Sequence, residues 1–99
     1  MRELLKTFVE TQQTFQATVN EFRSRKKDNC PTVLLINIYL VNNNCLVADH
    51  LWIGINKRLK EIHPQVGDRI QFTATVYAYT KKNGSLNYSL KNLIKITKL

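Results

Sequence analysis

The chain has 99 residues, enough for one domain with one modest core. Its hydrophobic fraction of 43% is that of a folded protein, and no apolar run approaches the roughly 20 residues that a membrane helix needs. Fifteen Lys and Arg against seven Asp and Glu give a net charge of +8, a balance that attracts polyanions and releases their counterions on binding.

Arg2, Glu3 and Lys6 crowd the place where a signal peptide carries its apolar stretch, so the expected location is cytoplasmic. Residues 2–12 (RELLKTFVETQ) put Leu4, Leu5, Phe8 and Val9 at helical spacing. The spacing predicts a short amphipathic helix, packed on the rest of the domain or on a partner protein. Leu4, Leu5 and Phe8 are the candidate partner contacts.

From Thr14 the period changes to two. Phe15, Ala17 and Val19 point one way, and Thr14, Gln16, Thr18 and Asn20 the other, which predicts a half-buried strand. Phe22 breaks that parity: it either points outward beside Arg23 or marks a bulge that returns it to the core. The strand runs into the basic stretch Arg23, Arg25, Lys26, Lys27, and Asp28-Asn29-Cys30-Pro31 supplies turn chemistry. Thr32 to Val41 is β-branched and apolar, a second strand. Asn42-Asn43-Asn44 reads as a tight reversal, because Asn tolerates the left-handed region. Cys45 to Ile53 makes the third strand. Trp52, between Leu51 and Ile53, is expected in the core.

Residues 55–63 (INKRLKEIH) place Ile55, Leu59 and Ile62 on one side, a short helix ended by Pro64. In the run that follows, Ile70, Phe72, Ala74, Val76 and Ala78 alternate strictly with Arg69, Gln71, Thr73, Thr75, Tyr77 and Tyr79, the strongest structural signal in the chain. Lys82-Asn83-Gly84-Ser85 reads as a hairpin turn. A last strand, about Leu86 to Thr97, carries Tyr88, Leu90, Asn92, Ile94 and Ile96 at one parity. After Asp68 no acidic residue occurs, while Arg69, Lys81, Lys82, Lys91, Lys95 and Lys98 follow.

The expected fold is mainly β: a five-stranded Greek-key barrel with an N-terminal helix (1–12) and a short helix between strands three and four, in a single domain over 1–99. Closing such a barrel removes sheet edges. The order of elements over residues 13–98, with Val66-Gly67-Asp68-x-Ile70-x-Phe72-x-Ala74-x-Val76, resembles the OB-fold family of oligonucleotide- and oligosaccharide-binding domains. Gly67 permits the tight corner into the fourth strand, and Asp68 can accept a backbone hydrogen bond there. Leu35-Ile36-Asn37, Asp49-His50-Leu51-Trp52 and Tyr88-Ser89-Leu90-Lys91-Asn92 resemble small proteins carried by mobile genetic elements. That resemblance implies an accessory role beside a polymerase, primase or helicase in DNA replication.

OB-type domains bind a strand across one face, flanked by the loops between strands one and two and between strands four and five. Here the first loop carries Arg23, Arg25, Lys26 and Lys27, and the second Lys81 and Lys82. Tyr77 and Tyr79, on the outward parity and leading into Lys81, are the expected stacking platforms for bases, with Lys91 nearby on the last strand. These residues predict binding of single-stranded DNA or RNA without catalysis.

The acidic residues are scattered singly, and three glycines make no phosphate-cradling loop, so neither an enzyme nor a cofactor is expected. Asp49-His50 is expected to make a structural hydrogen bond at a strand end. Cys30 and Cys45 are expected as free thiols. With His50 and His63 they lack the closely spaced pair typical of a zinc site, so no metal is expected.

Overall fold

The alternating run that opens at Arg69 lies beside the central strand of one antiparallel sheet. The protein is described by a computed structural model over residues 2–24 and 31–99. In chain order it contains a 3-10 helix (Arg2–Phe8), β1 (Gln12–Ser24), β2 (Pro31–Leu40), β3 (Cys45–Gly54), the helix α1 (Lys57–Glu61), β4 (Arg69–Thr80) and β5 (Leu86–Lys98). The strands lie in the order β3-β2-β1-β4-β5. β1 is central, β3 and β5 are the edges, and among the described residues no hydrogen-bonded ladder joins those edges, so the sheet is not closed into the expected barrel. Among the described residues no helix is long and apolar enough to cross a membrane.

Burial follows the period of two where the strands are regular. Phe15, Ala17 and Val19 of β1 and Ile70, Phe72, Ala74 and Val76 of β4 all face the core. Phe15 and Phe72 are directly opposed, with ring centroids 5.9 Å apart. Each is a large apolar surface removed from water at the centre of the domain.

The sheet coils around this core through bulges. The register between β1 and β2 shifts at Asn37, whose φ is 51°, and again between Val19 and Glu21. In β5 it shifts at Asn92 (φ 57°) and at Lys95 (φ 52°). Each extra residue bends its strand and increases the local twist. The bulges also correct the expected parity of the last strand. Tyr88 and Leu90 are buried as expected, but Leu93 replaces Asn92 on the inner side, and Ile96 rather than Ile94 packs against the core. Phe22 does follow a bulge, and it pairs with the buried Val33. It nonetheless remains 41% exposed.

The N-terminal helix differs from expectation in kind and length: it is a 3-10 helix ending at Phe8. The chain then turns at Glu10 (φ 68°), and Val9 bridges to Val76 of β4. The helix packs on both edge strands, β3 and β5, and Leu5 is fully buried there. Leu5 is thus part of the domain's own core, and its expected role as a partner contact is corrected. Phe8 is only partly buried and packs on the same core, while Leu4 stays exposed. A second link between the edges comes from Asn56. Its Oδ1 accepts from the Leu59 amide at 2.8 Å, capping α1, and its Nδ2 donates to the Leu93 carbonyl of β5 at 3.0 Å.

The corner at Gly67 forms as the sequence suggests. Gly67 has φ 95°, and its amide donates to the Val19 carbonyl at 2.8 Å. Asp68 Oδ2 accepts from the Gln65 amide at 2.9 Å. That amide, helped by the Lys98 ammonium 3.3 Å away, holds the Asp68 carboxyl below its ordinary pKa. A Cβ at Gly67 would meet nothing within 4 Å, so the demand for glycine is one of backbone conformation alone. Gly67→Ala is expected to destabilise the fold by about 1–3 kcal/mol. In urea this appears as a lower midpoint at unchanged slope; an unchanged midpoint refutes it.

Candidate nucleic-acid interface

The residues of interest stand on the outer face of the sheet, and each is placed by strand register. Arg23 of β1 pairs with Thr32 of β2, which pairs with Gly54 of β3. Residues paired across strands share a face, so Arg23 and Gly54 belong to one surface. Trp52, two residues before Gly54, shares it. On the far side of the sheet, Tyr77 of β4 pairs with Ser89 of β5, Tyr79 with Asn87, and Thr75 with Lys91. Coiling brings these two distant halves of the sheet together. Three cavities of about 270, 430 and 200 Å³ each have both Trp52 and Tyr77 in their walls.

Trp52 is the residue that the sequence reading misplaced. Expected in the core, it is 39% exposed, while Leu51 and Ile53 on either side are buried. The signal was present in the chain: between two inward residues of a strand the middle one must point out. Apolar character had outweighed parity.

Cations cover two of the rings. The Arg23 guanidinium lies 5.1 Å from the Trp52 ring centroid, and the Lys91 ammonium 5.2 Å from that of Tyr77. Arg23 also bonds Glu21 Oε2 at 2.7 Å. Tyr77 and Tyr79 lie with centroids 6.0 Å apart, and Asn87 Nδ2 donates to the Tyr79 hydroxyl at 3.1 Å. The outcome is a row of three aromatic side chains with positive charge at its margins. Each ring can take the flat face of a base, and each cation is close enough to a stacked nucleotide to meet its phosphate.

No family model matches the chain, and no curated protein or solved structure matches it either.

The remaining expected contacts lie around this row. Lys81 and Lys82 sit in the exposed β4–β5 hairpin, where the Lys81 amide donates to the Ser85 carbonyl at 2.8 Å. Asn83 Oδ1 accepts from the Ser85 amide, and Gly84 supplies the positive φ (87°) that the turn requires. Arg25, Lys26 and Lys27, like Cys30, lie outside the described residues. Away from it, Arg69 lies 5.9 Å from the Tyr39 ring and bonds Thr18. His50 Nδ1 lies 3.1 Å from Asp49 Oδ1, both exposed on β3.

Proposed function

We propose that the chain is a non-catalytic binder of single-stranded nucleic acid, acting in DNA replication or maintenance, and that the strand lies across Trp52, Tyr77 and Tyr79. The observation that carries this reading is the convergence of the three rings with Arg23 and Lys91 on one outer face. A duplex keeps its base faces stacked inside and cannot use such rings; a single strand can. The OB-type reading of the fold is supported by the strand order, in which central β1 pairs with both β2 and β4. It is supported as well by the described β4–β5 hairpin, which carries Lys81 and Lys82 at the end of the strand that bears Tyr77 and Tyr79, a place where OB-type domains grip a strand. A protein partner held mainly by the N-terminal helix has less to stand on, because Leu5 is buried within the domain itself.

The test is a titration of fluorescently labelled oligothymidylate at several salt concentrations. With Arg23, Lys81, Lys82 and Lys91 each on a phosphate, the logarithm of affinity should fall against the logarithm of salt with a slope of about −3. Phosphate contacts by Arg25, Lys26 and Lys27 would steepen it. Binding that ignores salt, or no binding at micromolar protein, overturns the proposal.

A further inference from the structure

We infer that the gap between the edges of β3 and β5 is a subsite for one unstacked base, and that Gly54 keeps it open. The inference rests on the nucleic-acid reading above and specifies where on that face a base is held rather than merely stacked.

The chain has three glycines. Two of them have a backbone reason: Gly67 and Gly84 adopt φ of 95° and 87°, a region that side chains disfavour. Gly54 has no such φ. Space does not demand it either, since a Cβ built there would meet nothing within 4 Å. It ends β3 opposite Thr32, in a strand where glycine weakens pairing and loses packing. The fold therefore has no use for a glycine at this position. A ligand that approaches the backbone closely does.

The surroundings say what kind of ligand. Gly54 lines the cleft of about 270 Å³ together with Trp52 from one edge strand, Lys91 and Asn92 from the other, and Tyr77 from β4 beside it. Two aromatic walls favour a flat, π-rich group. Lys91, at 5.2 Å from the Tyr77 ring, provides a cation at the cleft for the phosphate that such a group would carry. The cleft also lies between two strands that have a sheet partner on one side only, among the described residues. The side-chain amide of Asn92 in that lining offers a donor and an acceptor that a base edge can use. Stacking on an open ring tolerates every base, whereas a base seated among fixed donors and acceptors is chosen by its edge. The subsite thus predicts a base preference that the aromatic row by itself would lack.

Gly54→Leu tests it directly. A Cβ at this position meets nothing within 4 Å, and the rest of the side chain extends toward the cleft, so the variant should melt near the wild-type temperature. Its affinity for the best-bound of four homopolymeric deoxyoligonucleotides should fall about tenfold or more, the loss expected for one base. Its preference among the four should shrink at the same time. A folded Gly54→Leu that binds within twofold of wild type overturns the subsite. If that variant does not fold, the wild-type protein decides. In the shortest oligomer that binds, one abasic position should cost about tenfold while the others cost much less, and an even loss at every position refutes the inference. If wild-type protein binds no single strand at low salt, it is the functional reading of the whole face that fails, an outcome distinct from loss of the subsite alone.

Discussion

Replacing Trp52 by alanine should weaken single-strand binding by about 1–3 kcal/mol, the value of one base–aromatic stack. That is about fivefold to 150-fold in dissociation constant. Trp52, like Tyr77, is a wall of all three cavities, and it carries the Arg23 guanidinium over its ring. The residue is 39% exposed and is no part of the buried core cluster, so the melting temperature should stay near that of wild type. Trp52→Phe keeps a flat face and should retain part of the affinity. Since Trp52 is the chain's single tryptophan, intrinsic fluorescence should also change on oligonucleotide binding. A folded Trp52→Ala protein with wild-type affinity removes the aromatic row as the binding surface.

Phe72→Ala is expected to act on the fold instead. Phe72 is fully buried and directly opposite Phe15, at 5.9 Å between ring centroids. Truncating a buried phenylalanine typically costs about 3–5 kcal/mol, because lost transfer energy is joined by the cavity left behind. Small domains have only about 5–15 kcal/mol in all. For a chain of this size a loss of that order lowers the melting temperature on the order of 20 °C. Circular dichroism melts of wild type and variant would show it. A drop of only a few degrees would mean that the two phenylalanines do not form the centre of the core.

The contrast between these two aromatic residues shows which kind of information the chain carries locally. Phe72 belongs to a run whose alternation continues from Arg69 to Tyr79, and its burial could be read from its neighbours alone. Trp52 also obeyed the alternation, yet its partners could not be read at all. Arg23, Tyr77 and Lys91 lie far from it in sequence, and only strand register places Arg23 over its ring. Tyr77, Tyr79, Lys81, Lys82 and Lys91 were legible as outward or loop residues. That Tyr77 would share a cleft with Trp52 was not, because the cleft exists only where the two edges of a coiled sheet come near each other.

The N-terminal segment and β5 show the other boundary. Leu5 and Phe8 have the spacing of a helical apolar face, and such a face can cover a partner or its own domain with equal ease. The choice fell to the edges of β3 and β5, against which the helix lies. In β5, local alternation predicts Asn92 and Ile94 inside, but left-handed residues at Asn92 and Lys95 shift the parity twice. Asn can take that conformation without marking itself as a bulge, and Lys95 gives no sign of it.

The amino-acid order by itself determined the number and sequence of strands, the turns at Asn42–Asn44, Gly67 and Asn83-Gly84, and the inward residues of β1 and of β4 as far as Val76, whereas Ala78, expected inward, is exposed where β4 runs out to its hairpin. These follow from the period of an extended backbone and from the few residue types that tolerate a positive φ, both properties of neighbouring residues. The tertiary structure alone decided the coiling, the open gap between β3 and β5, and the meeting of Arg23, Trp52, Tyr77 and Lys91. Those depend on where bulges fall and how strands distant in sequence align, and pairing between distant segments leaves no periodic trace in either one.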